Sequence, residues 1–363
     1  MSFRKVFIVV LFFALFGLEF CFADYDNYEM YAFEQLNEKE REAYQKISNA
    51  VLNCEPVVFD VLVGADANMK VLSAFMDDNP GFFWVESRLR YSLFVDEDGN
   101  VRNSIHLYYT HQEDLSFDVE RFVALVSKFH QYIKDDENDW IKIYHIYDYL
   151  AKSIKYDNNY MDQSMWSVFF EGIGVCAGFA RSFQYLARQE GIPCLLVHGY
   201  ERDSSGNIGT VGHVWVMAKI NDTWYQFDPT WGLADANGNV DFSFFCRSDA
   251  KMGMTHVIRN NYPLPECPSD AFSYAQMRKR YMKVYDESIV VPIIQNAFSR
   301  NELTFTLEFE NVAELEKARQ SLLVEKKVFS LFKQAGFSVS NVLYSTNRQN
   351  YSLKISVSKF ERL

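Results

Sequence analysis

A chain of 363 residues, 48% hydrophobic and 23% charged, is long enough for two or three domains and carries ample apolar content for a packed core, which excludes long disordered stretches. The formal net charge is −12 and no Lys/Arg-dense run occurs, so the attraction that drives nucleic-acid binding is missing and no nucleic-acid role is expected. Aromatic residues reach 17%, with 32 Phe and 22 Tyr, which favours aromatic-rich sheets.

At the N-terminus, Arg4 and Lys5 precede an apolar run at 6–18, and Cys21 and Ala23 place small residues where a signal peptidase needs them. A signal peptide over residues 1–23 is expected, with the mature chain beginning near Asp24. The run is shorter than the roughly 20 residues of a spanning helix, and Glu19 interrupts its end. No stable membrane span is therefore expected after cleavage, and the location is secreted, periplasmic or cell-surface. A lipid anchor through Cys21 is disfavoured by the bulk of Glu19 and Phe20. Cys54, Cys176, Cys194, Cys246 and Cys267 then remain, an odd set that leaves at least one thiol unpaired in a monomer. A pair such as Cys246 with Cys267 is conceivable in an oxidising compartment, and the connectivity stays open. No C-x-x-C or H-E-x-x-H pattern occurs, so no metal or cofactor is expected.

In chain order, residues 34–53 are helix-compatible. Two β-rich runs at 89–95 and 101–110 flank an acidic turn with Asp98-Gly99 and read as a hairpin. Helical spacing follows at 117–133 and at 140–154, where Ile143, Ile146, Tyr147, Leu150 and Ile154 recur at three- and four-residue steps. These segments suggest an N-terminal helix and hairpin domain over 24–125 and a chemistry-bearing core over 126–268, closed by the Pro-containing stretch 263–268. A small α+β accessory domain over 269–363 is expected to hold a helix near 271–285, a strand at 303–309, a helix at 312–334 and strands at 339–344 and 351–357. It contains no constellation of catalytic residue types.

The segment 172–180 reads Gly-Ile-Gly-Val-Cys-Ala-Gly-Phe-Ala and enters a helix that stops at Gly191-Ile192-Pro193. Phe179, Phe183, Leu186 and Ala187 form its apolar stripe. Cys176 therefore stands at a helix start, where exposed N–H groups and the dipole favour a thiolate and can meet a developing oxyanion. Gly172, Gly174 and Gly178 are expected to leave room for a substrate backbone. Strands follow at 194–200, 212–220 and 224–231. If the loop between the last two is Asn221-Asp222, Ile220 faces Thr223, Trp215 faces Asp228, and His213 becomes a diagonal neighbour of Asp228 on one sheet face. A three-residue loop would put Asp228 on the other face. A lone buried cysteine, strand histidine or turn aspartate is usually structural. Cys, His and Asp together, on a helix start and two adjacent strands, are the residue types of a nucleophile, its base and its orienter.

The blocks 174–180, Gly191-Ile192-Pro193 with Gly199-Tyr200, 212–215, and Trp224-Tyr225-Gln226-Phe227-Asp228-Pro229-Thr230-Trp231 resemble the transglutaminase-like superfamily, of papain-like architecture, over about 100 residues. The resemblance implies an α+β core in which a nucleophile helix packs on an antiparallel sheet, with Cys176, His213 and Asp228 as catalytic residues. It also implies an upstream residue that helps the oxyanion; Gln163 and Trp166 are the positions that could serve, and the sequence does not decide between them. His198 and His256 read as structural. Calcium dependence, known in some relatives, has no support, because Asp203 and Asp235 lie outside any ligand-loop pattern.

The expectation is acyl transfer on peptide or protein amides through a thioester, with hydrolysis slightly preferred to crosslinking of an amine. An inactive secreted binding module is the alternative from another class. A peptide or protein is the expected substrate, with a cell-envelope protein as one candidate, and the oligomeric state stays open.

Overall fold

The computed structural model describes residues 30–110, 115–134, 137–159 and 162–363. The expected leader, its cleavage site and Cys21 lie outside these residues. The described residues are mixed α+β.

Helix α1 (Glu38–Leu52) starts on a capping box, in which Asn37 accepts the Glu40 N–H and the Glu40 carboxylate accepts the Asn37 N–H. Strand β1 (Val57–Phe59), helix α2 (Ala65–Asp78) and strands β2 (Val85–Val95) and β3 (Val101–Tyr109) complete an antiparallel sheet of order β1-β3-β2 beside two helices. The expected hairpin is present. Its acidic turn at 96–100 is the first of three turns with one chemistry, the others at 203–207 and 235–239. In each, Asp Oδ1 accepts backbone N–H groups two and four residues on, and a glycine in fourth place takes φ of +82°, +88° or +79°. The carboxylates of Asp96, Asp203 and Asp235 thus act inside their own turns.

Helices α3 (Leu115–His130) and α4 (Asp139–Ser153, capped by Asn138) follow where the spacing predicts them. Strand β4 (Lys155–Tyr156) pairs in parallel with β5 (Ile173–Gly174), which sets Tyr156 opposite Gly174, two residues before Cys176. Helix α5 (Cys176–Gln189) then leads to β6 (Cys194–Arg202), β7 (Ile208–Ile220), β8 (Thr223–Phe227) and β9 (His256–Ile258), an antiparallel sheet of order β8-β7-β6-β9. One face of this sheet, with Leu196, Val216, Ala218 and Phe227, shares a core with Phe179 and Phe183 of α5. The other face, with Leu195, Val197, Trp215 and Met217, packs on Phe244, Met252 and Cys267.

Helix α5 is buried on both sides, although its sequence reads as amphipathic. Its polar side reaches the end of α2: Arg181 donates to the Met76 carbonyl (2.8 Å), Gln184 to that of Asp77 (2.8 Å) and Arg188 to that of Asp78 (2.6 Å). Cationic donors at a helix C-terminus suit both its open carbonyls and its dipole. The same core cluster runs from Ala32 to Cys246, so the N-terminal elements pack directly onto the helix that begins at Cys176.

A second core holds residues 282–357. Here β10 (Tyr281–Met282), α6 (Val290–Ser299), β11 (Thr304–Phe309), α7 (Val312–Arg319), α8 (Lys327–Gln334), β12 (Phe337–Val339), β13 (Leu343–Asn347), β14 (Ser352–Ser356) and β15 (Phe360–Arg362) form a sheet of order β10-β11-β14-β13 and a β12-β15 pair under the helices. Three expectations are corrected. The helix expected at 312–334 is broken by a wide turn at Gln320–Val324 and by Lys326 at φ +58°. The helix expected near 271–285 shrinks to Tyr274–Met277 and gives way to β10. The strand expected at 339–344 is two strands in different sheets, β12 and β13. This unit is tied to the rest by the buried Arg247–Glu308 ion pair (2.9 Å) and by Gln349, whose amide nitrogen donates to the carbonyls of Arg202 and Met254.

All described cysteines are free thiols, so Cys246 and Cys267 are not bridged. Among the described residues no helix is long and apolar enough to cross a membrane.

Candidate active site

Cys176 is the first residue of α5, as the stop at Gly191 and the apolar stripe predict. Val175 before it is extended (φ −105°, ψ 173°), and the thiol is half-buried. The neighbouring glycines do not face open space. A Cβ on Gly174 would meet Val168 Cγ2 at 2.9 Å, and one on Gly178 would meet the Ser164 carbonyl at 2.9 Å. They let the turn at 164–168 lie against the start of α5, which corrects the expectation that they make room for substrate.

The β7–β8 connection is the two-residue loop Asn221-Asp222, both residues at positive φ (48° and 64°), with Ile220 paired to Thr223 and Val216 to Phe227. That register carries His213 and Asp228 to one face. His213 Nε2 lies 2.7 Å from Asp228 Oδ2, with both side chains buried. The Cys176 thiol acts on the same ring, and with Nε2 on Asp228 the nitrogen left to face it is Nδ1. Asp228 is fixed on every side. Its Oδ1 accepts the Thr230 and Trp231 N–H groups (2.9 and 3.2 Å), its own N–H donates to the Phe244 carbonyl, and its carbonyl accepts the Tyr147 hydroxyl.

Burial works against a charged imidazole at His213, but the Asp228 charge and hydrogen bond, and then the Cys176 thiol, outweigh it and raise the ring to about 10. Burial likewise pushes Asp228 up, and His213 together with the hydrogen bond from His256 holds it well below the usual carboxylate range. The arrangement favours an imidazolium between a carboxylate and a sulfur.

Three side chains that the sequence left out complete the site. The Tyr156 phenol stands beside Cys176; burial and the nearby thiol raise this phenol to about 12, so it keeps its proton and can donate it in a hydrogen bond. Glu201 places Oε1 3.8 Å from His213 Nδ1 and is held by the Trp231 indole N–H at 2.9 Å. His256, expected to be structural, sits with Nε2 3.0 Å from Asp228 Oδ2. His198 lies elsewhere, against Asp77 (3.0 Å). Of the upstream candidates, Trp166 stacks on Phe170 and packs on Phe83, while Gln163 is exposed; Tyr156 is the upstream side chain at Cys176. The signal for Tyr156 was its place just past α4, but a two-residue strand leaves no periodicity to read.

His213, Asp228 and His256 form the group of potential metal ligands found among the described residues. Their contacts of 2.7 and 3.0 Å on a single carboxylate oxygen are hydrogen-bond distances. Ligands each about 2.0–2.2 Å from one ion in a tetrahedral shell would stand further apart, so the cluster reads as proton sharing.

Over residues 127–229 the sequence matches the Transglutaminase-like superfamily. No curated protein matches the chain. Similar solved structures include a candidate cysteine protease from Cytophaga hutchinsonii, at 19% identity over 43% of this chain and 66% of that one, TM-score 0.27. Others are a TGase, at 21% identity over 39% of this chain and 44% of that one, TM-score 0.26, and the periplasmic domain of TgpA from Pseudomonas aeruginosa bound to ethylmercury, at 16% identity over 42% and 68%, TM-score 0.26. Residues 127–229 therefore form a transglutaminase-like superfamily domain within a mixed α+β chain.

Proposed function

We propose that this chain is a cysteine-dependent acyl-transfer enzyme acting on peptide or protein amides. The observation that carries it is the buried His213–Asp228 pair, with Nε2 2.7 Å from the carboxylate, beside a thiol at the start of α5 that acts on the same ring. The sulfur attacks the amide carbonyl and the C–N bond breaks as His213 delivers its proton to the leaving amine. The tetrahedral oxyanion is met by the Tyr156 hydroxyl and by the open N–H groups at the start of α5. Water then resolves the thioester in the preferred outcome, peptidase or amidase chemistry. The leader-like residues 1–23 support action outside the cytoplasm.

A second outcome, transfer to a primary amine, is favoured by one observation. Glu201 sets a half-exposed carboxylate beside His213 Nδ1, where an incoming ammonium group would be attracted, with the Trp231 ring alongside. Incubation with activated acyl esters and peptide amides, with and without a primary amine, tests both. An acyl mass added at Cys176 and discharged by hydroxylamine is expected. Release of free acid shows hydrolysis, and capture of the amine shows transfer. Absence of any adduct across the panel would sink the proposal.

A further inference from the structure

We propose that His256 is a positioning residue of this site: it shares the Asp228 carboxylate with His213 and so sets how readily His213 gives up its proton. The inference rests on the acyl-transfer reading above.

Both imidazoles place Nε2 on the same oxygen, Asp228 Oδ2, at 2.7 Å for His213 and 3.0 Å for His256. The His256 ring is caged by Trp231 at 4.7 Å, Trp215 at 4.8 Å and Phe244 at 5.9 Å between centroids. Such an aromatic cage would take a phenyl ring without penalty, whereas an imidazole must have both nitrogens partnered when buried. Both are. Nδ1 lies 2.7 Å from the Thr255 hydroxyl. That hydroxyl also donates to the Met252 carbonyl at 3.2 Å, which accepts the Thr255 backbone N–H at 3.0 Å as well. Asp228, held ionised, can only accept, so the His256 ring carries a proton on Nε2, pointing at Asp228.

A carboxylate oxygen that accepts two N–H donors offers less of its charge to each. His256, as an N–H donor, steadies Asp228 while loosening its hold on the His213 imidazolium. That matters in acylation, where the proton on His213 Nδ1 moves to the amine nitrogen as the C–N bond breaks, leaving the thioester, the free amine and a neutral ring. An imidazolium clamped too tightly gives its proton up slowly. The other groups that face His213 are Cys176 at Nδ1, Glu201 from β6 at 3.8 Å, and the Tyr156 phenol beside Cys176. His256 differs from these in acting through the carboxylate.

The test is a proton-coupled NMR titration of His213 in the full chain, for wild type, His256→Phe and His256→Gln, with turnover of an amide and of an activated ester of the same acyl group. In His256→Phe the His213 titration is expected to move up by as much as about one pH unit, the scale of one hydrogen bond. Amide turnover should fall about tenfold relative to ester turnover, whose leaving group needs no proton. His256→Gln, which keeps an N–H donor, should recover most of both. If His256→Phe does not fold, Thr255→Val, which releases Nδ1, should shift the titration in the same direction. A titration and an amide-to-ester ratio unchanged in every variant, with only a lowered melting temperature, would reduce His256 to packing and overturn the inference. If instead His213→Ala leaves Cys176 alkylation untouched, the acyl-transfer reading itself fails, whatever the His256 variants do.

Discussion

Replacing Asp228 by alanine is expected to cost about 10⁴ in kcat/KM, the scale seen when the orienting carboxylate of such a triad is lost. Two effects combine. His213 loses the group that fixes its ring and supports the imidazolium, and the base turns towards whichever tautomer the remaining contacts allow. The buried N–H groups of Thr230, Trp231 and His256 lose their acceptor as well. Breaking a buried charged pair from one side costs about 3–5 kcal/mol, so the alanine variant should also melt early. Asp228→Asn separates the two consequences. It keeps the volume and one acceptor oxygen, so it should hold the fold better while remaining nearly as inactive. An Asn variant with wild-type kcat/KM would remove Asp228 from the mechanism.

The second large effect is on stability and lies at Gly199. This glycine faces His213 on β7 and Ile258 on β9. A Cβ there would stand 2.1 Å from the Val257 carbonyl oxygen, which cannot move without parting β6 from β9, and 2.7 Å from Cη2 of the fully buried Trp215. Overpacking of this kind costs about 3 kcal/mol or more. Gly199→Ala should therefore unfold at markedly lower denaturant. It should also lose activity, because β9 carries His256 and Trp215 shields the ring of His213 (centroids 5.8 Å apart). Gly212→Ala is the control: a Cβ at Gly212 meets nothing within 4 Å, and that variant should stay within about 0.5 kcal/mol of wild type.

What the sequence made legible follows from what has a period. The start of α5, the β7–β8 loop and the diagonal contact of His213 with Asp228 all rest on local spacing, and a two-residue turn fixes the register without tertiary information. Helices α3 and α4 were visible for the same reason. Tyr156, Glu201 and His256 were not, because each reaches the site through a pairing between distant segments: β4 with β5, the Trp231 indole, and the short β9 on β6. Strand β1 and helix α2 escaped notice too. Three residues carry no alternation, and Asn68, Asp77 and Asp78 are buried on α2, which blurs the contrast that marks a helix face. The C-terminal helices were merged into one because Val312–Gln334 keeps helical composition across the break at Lys326. There the backbone, not the residue types, ends the helix.

The central claim is that His213 holds the proton of Cys176. Its ring is raised to about 10, so below that value the proton is expected on the imidazole beside the sulfur, the advantage fading as the pH rises through the ring's own titration. The most direct measurement is the pH dependence of iodoacetamide alkylation at Cys176, read by peptide mass spectrometry against buried Cys194, Cys246 and Cys267 in the same chain. Rapid labelling below pH 7 in wild type that collapses in His213→Ala is the predicted result. Labelling that follows an ordinary thiol titrating near pH 8.5 in both proteins, within about 0.3 units, would contradict it and leave a non-catalytic binding role as the better account.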